Sequence, residues 1–161
     1  MAIKWGELTR KSFSAEMQLN FEEYMQIDKM DRKSFFLTVN TFDSVTEYIA
    51  GRCASAGCDD DAVTQIIVAS SEILANIDSY AYENGGDVEI LTKCSDCRVT
   101  VVFRDNGKPF NLLTANEPDI TLPLSERKCG GLGIFIVKKL MDNVSYEYIN
   151  GQNNLTIEKD F

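Results

Sequence analysis

Residues 130–142 read Gly-Gly-Leu-Gly-Ile-Phe-Ile-Val-Lys-Lys-Leu-Met-Asp. Three glycines in four positions are followed by apolar side chains at Ile134, Val137, Leu140 and Met141, spaced for one face of a helix. Gly130, Gly131 and Gly133 precede and begin that helix, so bare backbone N–H groups and the positive helix end can face phosphate oxygens. Arg127 and Lys128 add positive charge just upstream. Glycine at these positions equally permits close helix packing, so the segments on either side have to decide between the two readings.

Downstream, strands are expected over residues 143–149 and 154–161, meeting across Asn150-Gly151-Gln152-Asn153, where Asn-Gly favours a tight turn. Upstream, residues 107–130 lack periodicity and hold all three prolines, Pro109, Pro118 and Pro123. A stretch of that length without periodicity inside a compact domain reads as a functional loop, a lid. Before it, strands over residues 87–94 and 98–105 form a hairpin through Ser95-Asp96. Residues 60–82 place Val63, Ile66, Ile67, Ser70, Leu74, Ile77 and Ala81 on one helical stripe that faces the core. A shorter amphipathic helix over residues 41–56 and a strand over residues 34–40 precede it, with Gly57 and Asp59, Asp60 and Asp61 as stop and start signals. Residues 1–33 carry Met17, Phe21, Tyr24 and Met25 at helical spacing and read as an N-terminal helical extension to a domain over residues 34–161. The order of elements predicts an α+β two-layer sandwich, a mostly antiparallel sheet covered on one face by helices.

Composition narrows the chemistry. At 161 residues, 44% apolar and 25% charged, the chain is a globule of about one domain. A net charge of −9 repels phosphate backbones and anionic lipid, so neither nucleic acid nor a membrane surface is expected as a partner. No histidine is present, which excludes Ser-His-Asp and Cys-His nucleophiles and any histidine phosphoacceptor. Five cysteines cannot all pair and residues 1–7 offer no secretory apolar stretch, so a reducing cytoplasm is the expected compartment. Cys94 and Cys97 have the spacing of half a zinc site or a redox pair, but with no second pair or histidine suitably placed they read as a coincidence of the hairpin turn, and Cys53, Cys58 and Cys129 are expected to pack as small apolar residues.

Three further residues carry candidate chemistry. Glu72 and Asn76 lie four apart on the helix side opposite the core stripe, beside Val68, Ala69 and Ala75, small apolar residues that ordinarily want cover. Were a nucleotide to dock there, the amide oxygen of Asn76 would suit Mg²⁺ and Glu72 would take a proton from an attacking hydroxyl or water. The plain alternative is a solvated polar face. Asp105 ends the alternating row Val99, Val101, Phe103, and a carboxylate in that place needs donors. Asn106-Gly107 lets the chain turn away and opens a pocket in which a purine's exocyclic amine could satisfy Asp105. A turn-capping role for Asp105 is the other reading.

Taken together, SEILANIDSYAY at residues 71–82, DNGKPF at residues 105–110 and GGLGIFIVKKLMD at residues 130–142 resemble the N, G1 and G2 boxes of the GHKL ATPases. Within that superfamily they are most similar to the anti-sigma-factor serine kinases of bacterial partner-switching systems. The likeness spans residues 34–161. It implies the Bergerat fold, with ATP held between helices and sheet under a lid. On the matching positions it implies Glu72 as general base, Asn76 as Mg²⁺ ligand, Asp105 as receiver of the adenine amine and Gly107 as part of the adenine pocket. Gly130, Gly131 and Gly133 would meet the phosphates.

The implied activity is transfer of the ATP γ-phosphoryl to a serine of an anti-anti-sigma, STAS-domain protein, by a kinase, often a homodimer, that also sequesters a sigma factor. A non-catalytic ATP-binding module that acts by sequestering its partner is the alternative. A stand-alone ATPase of gyrase type is disfavoured because no transducer domain follows Phe161. Tyr80 departs from the family, whose members commonly have histidine before Ala-Tyr. The family's threonine ahead of the last strand's apolar residue has no match either: Asn153 and Asn154 precede Leu155, which leaves that adenine contact unassigned.

Overall fold

The computed structural model describes residues 29–95, 97–114 and 131–161. The chain divides into two compact units, Met1–Met30 and Asp31–Phe161. The helical reading of Met17, Phe21, Tyr24 and Met25 lies outside the described residues, as does most of the expected lid.

The second unit runs β1 (Asp31–Leu37), α1 (Phe42–Ser55), α2 (Asp60–Asn76), β2 (Gly86–Ser95), β3 (Arg98–Asp105), α3 (Leu132–Leu140), β4 (Asn143–Ile149) and β5 (Gln152–Asp160). The five strands form one sheet in the order β1-β2-β3-β5-β4, antiparallel at every pairing. This is the expected α+β architecture. The core comes from alternation: Val99, Val101 and Phe103 of β3, Val88 and Ile90 of β2 and Leu155 and Ile157 of β5 are buried in one cluster with Ile66, Ile73 and Leu74 of α2. The other face of the sheet is mixed: Arg104 donates to Glu89 at 3.0 Å and to Asn154 at 2.9 Å, while the cross-strand pair Leu91 and Val102 is buried there.

Several boundaries differ from the sequence reading, each for a local reason. β1 starts at Asp31, ahead of Ser34, because Asp31, Arg32 and Lys33 pair with Thr92, Leu91 and Ile90, and an edge strand tolerates charge. It stops at Leu37, where the Thr41 hydroxyl accepts from the Thr38 N–H at 3.0 Å and donates to the Thr38 carbonyl at 2.9 Å, drawing the backbone out of the ladder. β5 begins at Gln152: Asn150 (φ 55) and Gly151 (φ 82) make the turn by themselves, the left-handed pair that a two-residue hairpin requires.

The junction between the two helices is set by a backbone pattern at the end of α1 and a side-chain cap at the start of α2. Asp59 caps α2 by accepting from the Ala62 N–H at 2.7 Å, a contact worth about 0.5–2 kcal/mol. At the end of α1 the Gly57 N–H reaches the Ala54 carbonyl at 3.1 Å and the Cys58 N–H reaches the Cys53 carbonyl at 3.2 Å, with Gly57 at φ 80. That Schellman pattern brings Cys53 and Cys58 together as its apolar contact. Cys53 is fully buried, and desolvation pushes its thiol up to about 12, so it packs as the expected inert small residue. Cys129 lies outside the described residues.

α2 does not stay α-helical to Tyr82. It opens at Ile77–Ala81 into a π turn, a wider coil often found next to functional sites. The expected stripe is broader than a single face: Ala69, assigned to the uncovered side, is fully buried, because α2 packs against both α1 and α3. Val68 and Ala75 remain exposed. Among the described residues no helix is long and apolar enough to cross a membrane, and no group of three or more His, Cys, Asp or Glu could hold a metal ion.

Candidate functional site

The last residues of β3 and the first of β5 build one wall of the site. Asp105 is only 4% exposed and Asn153, directly across the ladder, 5%. The Asp105 Oδ1 atom accepts from the Gly107 N–H and from Asn153 Nδ2, both at 2.8 Å. Burial pushes the Asp105 carboxyl above its ordinary range, and those two donors oppose the shift. The capping reading of Asp105 is therefore correct as far as Oδ1 is concerned, and the carboxylate still borders a pocket.

The chain then turns beneath the end of α2. A side chain at Gly107 would meet the Ala81 Cβ at 2.5 Å and its carbonyl oxygen at 2.6 Å, so only glycine allows the loop to come this close. The Lys108 N–H clasps the same carbonyl at 3.2 Å. Tyr82 ties the loop from the other side, accepting from the Asn106 N–H at 3.0 Å and donating to the Asp87 carbonyl at 2.7 Å.

Between these walls lies a small pocket, partly open to solvent, bordered by Asn76, Ile77, Ala81, Asp105, Phe110 and Asn153 among others. Its lining is apolar apart from a few convergent polar groups, as ligand pockets generally are. Asn76 enters it in a defined orientation: its Nδ2 donates to the Glu72 carbonyl at 2.7 Å, which leaves the amide oxygen as the end with lone pairs to offer.

Glu72 and α3 meet. A side chain at Gly133 would overlap the Glu72 carboxylate, so the first turn of α3 lies directly against it. Gly131, with φ 84, supplies the left-handed residue from which α3 starts, and its carbonyl accepts the Phe135 N–H at 3.1 Å. Close packing, one of the two readings of these glycines, thus holds at Gly133. Gly130, Arg127 and Lys128 lie outside the described residues. Tyr80 points outward, half exposed, and stacks on Phe110 with ring centres 4.9 Å apart, so the residue that departs from the family pattern braces the rim of the pocket.

The residues named from the sequence form one connected arrangement: Asn76 and Asp105 on a common pocket, Gly107 against the end of α2, Glu72 against Gly133. Asn153 was left out of that set. Its phenolic partner Tyr146, which donates to Asn153 Oδ1 at 2.7 Å, was not singled out either. A signal for Asn153 exists: Asn153, Leu155 and Ile157 alternate as Asp105, Phe103 and Val101 do, each row ending in a polar residue.

A family model described as a histidine kinase-like ATPase domain matches residues 37–159. The chain belongs to this family. As an ATPase domain it uses ATP, and residues of two of the three sequence boxes, 71–82 and 105–110, line the pocket. Similar proteins include the serine-protein kinase RsbW of Halalkalibacterium halodurans, 27% identical over 64% of this chain and 66% of the relative. RsbW of Listeria monocytogenes is 28% identical over 64% and 69%, and RsbW of Bacillus mycoides 29% identical over 66% and 70%. The chain thus spans about two thirds of the length of these relatives. The ATPase-domain fold also agrees with a crystal structure of RsbU and RsbW domains from a Mycobacterium tuberculosis protein, at a TM-score of 0.56 and 16% identity. That match covers 80% of this chain and 31% of the other.

Proposed function

We propose that this protein is an ATP-dependent serine-protein kinase that phosphorylates an anti-anti-sigma, STAS-domain protein and, as an anti-sigma factor, sequesters a sigma factor. The observation that carries the reading is a buried carboxylate, Asp105, and an oriented amide, Asn76, on a single pocket, with the Glu72 carboxylate one helical turn from Asn76 and against Gly133. Its relatives carry the name of serine-protein kinase. A cytoplasmic homodimer is the form this reading assigns to it.

The chemistry follows from the residues. Asp105 receives the exocyclic amine of adenine, and Gly107 lets the base approach the loop. Gly131, Gly133 and, ahead of them, Gly130 present backbone N–H groups to the phosphates at the start of α3. Asn76 fits Mg²⁺, a hard ion that prefers oxygen, because its nitrogen is already committed to the Glu72 carbonyl. The bound ion supplies charge neutralisation on the phosphates. Glu72 takes the proton of the acceptor serine as its oxygen bonds to the γ-phosphorus; the bond from that phosphorus to the β–γ bridging oxygen breaks and ADP leaves. No histidine is needed for any of this.

The test is Glu72→Gln, assayed by phosphoserine formation on a panel of STAS-domain proteins and by ATP binding. General-base loss typically costs about 10²- to 10⁴-fold in rate, and ATP affinity should survive. Wild type that binds ATP yet yields no phosphoserine on any acceptor, with the variant indistinguishable from it, would replace the kinase by a non-catalytic module acting through partner sequestration.

A further inference from the structure

The amide of Asn153 is saturated. A primary amide has two N–H donors and two acceptor lone pairs. Nδ2 donates to Asp105 Oδ1 at 2.8 Å and to the Lys108 carbonyl at 3.2 Å, with the Gly107 carbonyl at 3.4 Å sharing the second hydrogen. Oδ1 accepts from the Tyr146 phenol at 2.7 Å and from the Phe110 N–H at 3.3 Å. No hydrogen-bonding capacity is left for a ligand, although the residue borders the pocket.

Nor can the amide turn over. A backbone N–H only donates, so the atom facing Phe110 has to be the oxygen, and the NH₂ group is directed to Asp105. Asp105 Oδ1 thereby carries two N–H bonds, which leaves the carboxylate's other oxygen as its acceptor for a base.

We propose that Asn153 is a positioning residue that holds the Asp105 carboxylate in one orientation, so that preference for a 6-amino purine depends on an amide that never touches the base. The proposal rests on the reading of this pocket as the ATP site. One residue thereby fastens β5, the loop after β3 and Tyr146 of β4 to a single carboxylate. Among the influences on Asp105, burial raises its carboxyl and Asn153 is the first to lower it, so loss of the amide should also move the pH at which the carboxylate protonates upward.

The experiment compares ATP with inosine triphosphate, whose 6-oxo group replaces the amine, by calorimetric binding from neutral to mildly acid pH. Proteins are wild type, Asn153→Leu, Asn153→Thr, which restores one hydroxyl donor, and Tyr146→Phe, which leaves the Phe110 N–H to orient the amide. Wild type should prefer ATP. Asn153→Leu should lose about tenfold of that preference, the scale of one charge-assisted hydrogen bond, and its ATP affinity should begin to fall at a higher pH. Asn153→Thr should recover most of both, and Tyr146→Phe should stay near wild type. A folded Asn153→Leu with unchanged preference and pH profile overturns the proposal while the ATP site stands. Wild type that binds no ATP overturns both. Should Asn153→Leu not fold, Asn153→Ala is read by the same two criteria.

Discussion

The ladder between β3 and β5 ends at both extremes in a carboxylate with a nitrogen donor across from it. At one extreme Asp105 faces Asn153, at the other Arg98 faces Asp160. Arg98 grips Asp160 through two bonds, 2.5 and 2.9 Å, in the open, and its guanidinium holds that carboxyl below the usual range. Asp105 is bonded as well and as closely, yet it is buried, and desolvation drives its carboxyl the other way. Distance alone does not decide what a carboxylate does for a protein; its solvent does. The exposed pair is cheap and idle, whereas the buried one weakens the fold and is available to a ligand.

The strongest way to break the contrast is to remove what both ends share. Phe103, fully buried between them, anchors the ladder in the core, and Phe103→Ala should cost about 3–5 kcal/mol of stability by chemical denaturation. Both ends should then loosen together. Asp105→Asn abolishes the difference without touching the packing. ATP affinity should drop by about ten- to a hundredfold in a binding titration, the range for one hydrogen bond to a charged group, while the protein alone is at least as stable as wild type.

The pH response sharpens the same point. Asp105 has a raised carboxyl in the folded state, so folding takes up a proton there as pH falls through that value, and the stabilising contribution is complete below the unfolded value of about 3.9. The stability advantage of Asp105→Asn over wild type at neutral pH should therefore shrink on acidification; an advantage that is constant with pH would show that Asp105 is not the cause. Asp160, with its carboxyl lowered, has the opposite sign and is exposed. Arg98→Ala should leave the denaturation midpoint unchanged within error, and a clear loss would restore the exposed end to equal importance.

Much of this was legible because it depends on near neighbours. The alternation Val99, Val101, Phe103 located the core face of β3, and Asn150-Gly151 located a hairpin, only its length being overestimated. Glu72, Asn76, Asp105 and Gly107 were legible as members of spaced boxes, and the structure brings them to neighbouring surfaces. Asn153 was not, since its part depends on the register that sets it opposite Asp105 and on a loop that returns to it, neither of which is a local property. Ala69 was misplaced because periodicity gives one stripe, whereas a helix flanked by two others buries more than one. The π turn at Ile77–Ala81 has no marker in the sequence, and the Lys108 N–H that its last carbonyl accepts comes from a loop distant along the chain.

The hairpin end of β3 offers a practical handle. The thiols of Cys53, Cys58 and Cys94 are all pushed up by burial, whereas Cys97 sits exposed next to Arg98. Among the described cysteines an alkylating dye should choose Cys97. The 8 residues of β3, at roughly 3.3 Å each, put about 26 Å between that dye and Asp105. A fluorophore there would follow the melting of the sheet while leaving the pocket at Asp105 untouched, so one labelled sample can separate unfolding from ligand release.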